Sequence, residues 1–147
     1  MCQHPAIAGS HPVSTRSELV EAFIPSSPFL GHLGMRLTAL EQDRAELVLP
    51  FSQELVTIGD VLHGGAIAAL IDTAGMAAAW ADGGDPGDRA GSTIGLSIDF
   101  VAAARAEDVT AEARVIRRGR SLCFCEVEAT GEAGQVVAKG LVTHRFA

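Results

Sequence analysis

From Leu62 to Trp80 the chain reads Leu-His-Gly-Gly-Ala-Ile-Ala-Ala-Leu-Ile-Asp-Thr-Ala-Gly-Met-Ala-Ala-Ala-Trp, its longest apolar segment. The stretch is mostly Ala and other strong helix formers, so it predicts one long helix. A helix that is apolar on every side belongs in the interior of a fold. Its one carboxylate, Asp72, is costly there unless it is paired or put to use. The remaining residues must therefore supply a surface broad enough to cover this helix, and that surface is legible in their periodicity.

Upstream, Thr15 with Glu18 three residues later forms a capping pattern, and a short helix is predicted over Arg16–Ile24, closed by Pro25-Ser26-Ser27-Pro28. Phe29 to Gly34 reads as a connector. Two strands follow, about Met35–Glu41 and Arg44–Phe51, turning at Gln42-Asp43. In the second, Ala45, Leu47, Leu49 and Phe51 alternate with more polar positions. Ser52–Asp60 reads as a loop. Past the long helix, breakers between Ala81 and Asp88 lead into four alternating segments. These are marked by Ile94/Leu96/Ile98/Phe100, Val109/Ala111/Ala113/Val115, Cys123/Cys125/Val127/Ala129 and Val136/Ala138/Gly140/Val142. The order of helix, two strands, long helix and four strands predicts an α+β domain of two layers. Residues 1–27 read as a tail and short helix, and 28–147 as a single domain.

The 147 residues suffice for one domain with a sizeable core. A net charge of −7 and a pI near 5.1 argue against a general nucleic-acid binder. Three cysteines without zinc-type spacing suggest a reducing compartment, and no signal-peptide pattern opens the chain. Asp72 at the centre of the apolar stretch argues against a membrane span.

Several residues carry possible chemistry. Gly64 and Gly65 sit where the long helix begins, and their amides could stabilise an oxyanion or merely permit close packing. Asp72 reads as a base whose affinity for protons desolvation would raise, or as a carboxylate satisfied by Thr73 or a serine on the sheet. His63 reads as a structural ring that holds the preceding loop, with Asp60 able to orient it. At nine residues' separation, His63 and Asp72 lie about half a turn out of phase and about 13 Å apart along a helix. They cannot grip one group together from the same helix. If both act on one substrate, a twofold partner must supply one of them. Arg117, Arg118 and Arg120, with Ser121, form a basic turn that suits a phosphate or a solvated surface. Cys123, Cys125 and Trp80 read as core.

The chain resembles the hotdog-fold thioesterases, in particular the phenylacetate-pathway (PaaI-like) branch. The likeness rests on His63-Gly64-Gly65, Asp72 nine residues after the His, Gly119-Arg120-Ser121, and the Gly134–Gly140 segment. It spans roughly residues 28–146. The resemblance implies a long helix wrapped by a curved antiparallel sheet of about five or six strands. It implies hydrolysis of acyl-coenzyme A thioesters at a site between subunits of a homodimer or homotetramer. Asp72 would be base or nucleophile, the Gly64 amide would polarise the thioester carbonyl, and His63 would hold the motif position. Two positions depart from the pattern. Thr57 stands where relatives often carry Asn or Gln to hold the attacking water, and Thr93 stands for a Ser of the next strand. No cofactor beyond the coenzyme A of the substrate, no metal, no nucleic acid and no membrane partner are expected, and the compartment is expected to be cytoplasmic. A non-catalytic acyl-CoA or lipid binder on the same scaffold is the alternative. A hydratase is disfavoured by the lack of a suitably placed Asp-His pair.

Overall fold

The computed structural model describes residues 15–147, and the expected tail at 1–13 lies outside them. Helix α1 covers Arg16–Ser26, α2 Pro28–Leu33 and α3 Gly64–Trp80. The strands are β1 (Arg36–Glu41), β2 (Arg44–Leu49), β3 (Val56–Ile58), β4 (Val61–Leu62), β5 (Gly91–Phe100), β6 (Val109–Arg118), β7 (Leu122–Thr130) and β8 (Val136–Phe146).

The capping pattern forms as expected. The Thr15 hydroxyl accepts the Glu18 amide, and the Glu18 carboxylate accepts the Thr15 amide, both at 3.2 Å. The stop differs from expectation. Helix α1 runs through Pro25 to Ser26, with the Ser27 amide bonded to the Phe23 carbonyl at 3.0 Å. Pro28 then opens α2 where the connector was expected. A proline is tolerated in the first turn because no intrahelical partner exists there for an amide. Gly34, at φ 72°, closes α2 in the left-handed conformation that favours glycine. Val20 and Ile24 of α1 enter the same core as the sheet.

Six strands form one antiparallel sheet in the order β1-β2-β6-β7-β8-β5. Strand β3, inside the expected loop, pairs as a separate ribbon with β4 just past it, so Leu62 lies in a strand before the long helix. The periodicity of β2, β6 and β7 is realised closely. Ala45, Leu47 and Leu49, then Val109, Ala111 and Ala113, then Cys123, Cys125, Val127 and Ala129, all face the helix and are buried. Irregular register in β1, β5, β6 and β7 interrupts the ladders and helps the sheet curve. Glycines let α3 settle deeply. A Cβ on Gly75 would stand 2.6 Å from Val142, and one on Gly140 would stand 2.8 Å from Ile71.

Strand β5 departs from its sequence reading. Ile94, Leu96 and Phe100 are 55%, 43% and 52% exposed, and of the expected apolar face only Ile98 packs on the core. The strand is outermost, pairing on one edge with β8, and its other edge has no strand beside it among the described residues. Helix α3 also departs from all-round burial. Its sheet-facing side is closed, but Ala68, Ala69, Asp72 and Met76 are half-buried at helical spacing and form an open stripe.

Candidate active site

The start of α3 is set by His63. With φ −64° and ψ 133° it is the N-cap, and its Nδ1 accepts the Gly65 amide at 2.7 Å. The His63 amide donates to the Leu55 carbonyl at 2.8 Å, which ties the helix start to the turn before β3. Capping fixes the neutral ring's proton on Nε2. It also explains Gly65, whose Cβ would stand 2.8 Å from that Nδ1. The expected pair of amides is thereby reduced to one, because the Gly65 N–H is already used. The Gly64 N–H, at the positive end of the helix dipole, has no hydrogen-bond partner among the described residues. The Phe100 ring lies against Gly64, 3.4 Å from where a Cβ would be. Asp60 does not orient His63; it pairs with Arg105 at 3.0 Å.

Asp72 lies on the open stripe of α3, two turns beyond the helix start. Its Oδ1 accepts the Thr93 hydroxyl at 2.6 Å, so β5 fixes one carboxylate oxygen. Thr73 is not its partner, since that hydroxyl donates to the Ala69 carbonyl at 2.7 Å. The carboxylate has no cationic partner among the described residues, and its second oxygen is left uncommitted there. Thr57 lies exposed on β3 without a hydrogen bond to Asp72 or Thr93. Within one chain, the structure therefore joins Asp72 to Thr93 and His63 to the helix start, and keeps the two groups apart.

The basic turn divides. The Arg118 guanidinium reaches inward to Asp43 at 2.7 Å and to the Ala79 carbonyl at 2.8 Å, with Asp82 at 3.6 Å. It thus ties the end of β6 to the β1–β2 turn and to the negative end of α3. Burial is the largest single influence and works against its charge, but the Asp43 hydrogen bond and the nearby negative charges, Asp43 and Asp82 among them, together outweigh it and raise its pKa. Arg117, Arg120 and Ser121 are exposed, and the two arginines make no ion pair among the described residues.

Sequence reasoning missed His144. This ring on β8 is 1% exposed, and its Nε2 accepts the Trp80 indole N–H at 2.9 Å. Burial pushes its pKa down, and the negative charge of Asp72 partly opposes that. A lone histidine near the end of a strand carries no motif, so only the packing could reveal it.

Beside the helix start, Phe29, Leu33, Leu55, Val56, His63 and Ala66 line a cavity of about 230 Å³. A larger one, of about 530 Å³, lies on the sheet's opposite face. Glu46, Glu112, Glu126 and Glu128 line it, a poor setting for phosphates. Among the described residues no group of His, Cys, Asp and Glu is placed to hold a metal ion.

A long helix carrying one carboxylate on its open side, capped by His-Gly-Gly and embraced by a six-stranded antiparallel sheet, defines a hotdog domain. A sequence model of the thioesterase superfamily matches residues 59–138, more than half of the chain, and the chain belongs to that superfamily. A protein of Saccharolobus solfataricus, named only provisionally as an esterase, is 31% identical over 122 residues, covering 82% of this chain and 84% of its own. The structure of a conserved protein from Pseudomonas aeruginosa superposes with a TM-score of 0.75 at 30% identity, covering 82% of this chain and 94% of that one. The E. coli PaaI protein of the phenylacetic acid degradation operon shares the fold, with a TM-score of 0.69 at 21% identity over 78% of this chain and 85% of its own.

Proposed function

We propose that the protein hydrolyses acyl-coenzyme A thioesters to a free acid and coenzyme A, at sites shared between two subunits. The observation that carries this reading is Asp72: a carboxylate on the open stripe of α3, with one oxygen held by Thr93 and no cation paired with it among the described residues. Its uncommitted oxygen takes a proton from water, whose oxygen attacks the thioester carbonyl. The C–O bond forms, the negative charge moves to the carbonyl oxygen, and the C–S bond then breaks with that proton passing from Asp72 to the departing thiolate. In the other route the oxygen attacks that carbon directly, and the C–S bond breaks to leave an acyl–Asp72 anhydride. Water then cleaves the anhydride to the free acid, its proton going to the thiolate and the Asp72 carboxylate being restored. A Gly64 N–H meets the transient oxyanion, an arrangement worth about 3 kcal/mol per donor in comparable sites.

Asp72 and Gly64 of one chain lie two turns apart on one helix, so the acid of one subunit is read with the helix start of the other. Two features support a partner. Among the described residues strand β5 leaves one edge unpaired, with Ile94, Leu96 and Phe100 exposed on the strand and Val101 exposed just past it, which suits pairing with a second copy. The open stripe of small residues on α3 lets another chain approach Asp72 closely. Homodimers, and tetramers built from them, follow as the expected assembly. The cavity beside His63 is of a size and polarity to take an acyl group, and Arg117 and Arg120 are free to meet the phosphates of coenzyme A. This chemistry needs no metal or cofactor of its own. No helix among the described residues is long and apolar enough to cross a membrane. The cytoplasm is read as the working compartment from the three cysteines, whose number and spacing suit a reducing environment.

The test is release of free thiol from a panel of acyl-coenzyme A esters, with Asp72→Ala abolishing turnover in a protein that stays folded and oligomeric. Exposed Thr57, unable to hold a water beside Asp72 within its own chain, favours one other reading: a non-catalytic acyl-coenzyme A binder. That reading requires saturable binding with no thiol released from any ester.

A further inference from the structure

Two residues, His144 and Thr93, lie in succession between Trp80 and Asp72. Trp80 can only donate, so the Nε2 of neutral His144 must be the acceptor of their 2.9 Å bond, and the ring's proton is confined to Nδ1. That Nδ1 is buried and has no hydrogen-bond partner among the described residues. An unpaired buried donor is costly, and one retained beside a functional carboxylate calls for a reason. His144 is the direct cross-strand neighbour of Thr93 in the β5–β8 ladder, and Thr93 is the residue that grips Asp72 at 2.6 Å.

We infer that His144 is a positioning residue for Asp72: Trp80 locks its tautomer, and the resulting Nδ1–H dipole acts beside Thr93 to orient the Asp72 carboxylate. The surroundings leave few competitors. From α3 the facing groups are Asp72 and Trp80. From β5 they are Thr93 and Gly91, whose Cβ would collide with the ring. From β7 it is Cys123, the register partner on that side. On β8 itself, Phe146 stacks edgewise at 5.0 Å, with Arg89 and Arg16 lying over its ring at 5.1 and 5.9 Å. Asp72 is the charged group that acts on the ring electrostatically.

Two experiments test this. Trp80 is the chain's one tryptophan, so its fluorescence reports protonation of His144, which removes the acceptor at Nε2. The wild-type protein is expected to titrate below 6.5, the ordinary histidine value, and Asp72→Asn to move that midpoint about 0.5 or more units lower. An unmoved midpoint in Asp72→Asn would overturn the coupling. The second experiment rests on the hydrolytic reading above. His144→Gln can keep an acceptor for Trp80 but loses the donor at the Nδ1 position, while His144→Asn does the reverse. His144→Gln should lower kcat about tenfold with KM within twofold, because the donor that orients the carboxylate is lost while substrate binding is untouched. His144→Asn should recover most of that loss. Equal impairment of both variants would reduce His144 to packing. Should the wild-type protein hydrolyse no thioester, the fluorescence titration decides the coupling by itself.

Discussion

The two sides of α3 share alanine but differ in what accompanies it, and they behave oppositely. The side facing the sheet, with Ile67, Leu70, Ile71, Ala74, Gly75 and Ala78, is closed by the chain's own strands to the point where an added methyl group at Gly75 would collide with Val142. The other side, with Ala68, Ala69, Asp72 and Met76, is left half-covered. The closed side carries Ile67, Leu70 and Ile71, whose large side chains fill the space under the sheet, while the open side carries two alanines, a methionine and an acid. The chain's own sheet covers the first side, and on the reading proposed above a second subunit covers the other. On that reading, stability is concentrated on the first side and chemistry on the second.

That division can be broken in order of effect. Asp72→Asn, on the open side, should lower kcat by about a thousandfold, within the range expected for loss of a general base, while the thermal midpoint stays nearly constant. Steady-state kinetics alongside calorimetry check both halves. Gly64→Pro removes the single unpartnered amide where proline is tolerated, and His63 already has an extended backbone compatible with it. It should cost about a hundredfold in kcat with the helical circular dichroism retained. Thr93→Val should reduce kcat about tenfold through loss of one hydrogen bond to a charged group. Gly75→Val does the opposite. It overpacks the closed side by about 2–3 kcal/mol, lowering the thermal midpoint by about 5–10 °C while kcat per folded molecule is kept.

The smallest expected effect is on stability against pH. Folding lowers the pKa of His144, so the unfolded chain binds the proton first as the pH falls. This contribution to stability is complete above 6.5, the ordinary value, declines as the pH drops below it, and levels off once the folded protein also takes the proton. Thermal midpoints measured through this range should show that decline in the wild-type protein and lose it in His144→Asn.

The long helix, the Thr15–Glu18 cap and the alternating faces of β2, β6 and β7 were legible in the chain because each follows from local periodicity. Pro28 opening α2 was not, since a proline marks the end of one helix and the start of another equally well. The exposure of Ile94, Leu96 and Phe100 was hidden because alternation reports an apolar face without telling what covers it. In the candidate site, Asp72 stood out as a lone acid in an apolar run, and Thr93 was reached only through the family pattern. Arg117, Arg118 and Arg120 look alike in sequence, and only the curl of the turn turns Arg118 inward to Asp43. His144 depends on three-dimensional neighbours alone, Trp80 lying 64 residues before it.

Sharing of the site between subunits is tested most directly by mixing two damaged chains. Asp72→Asn and Gly64→Pro are co-expressed with different tags and the mixed oligomers purified in their natural proportions. In a mixed dimer, one site combines both lesions and the other carries neither. Random pairing then predicts recovery of about a quarter of wild-type thioester hydrolysis from two nearly inactive parents. Activity no higher than that of the parents, in a preparation shown to contain mixed dimers, would contradict the pairing of Asp72 with a neighbour's helix start.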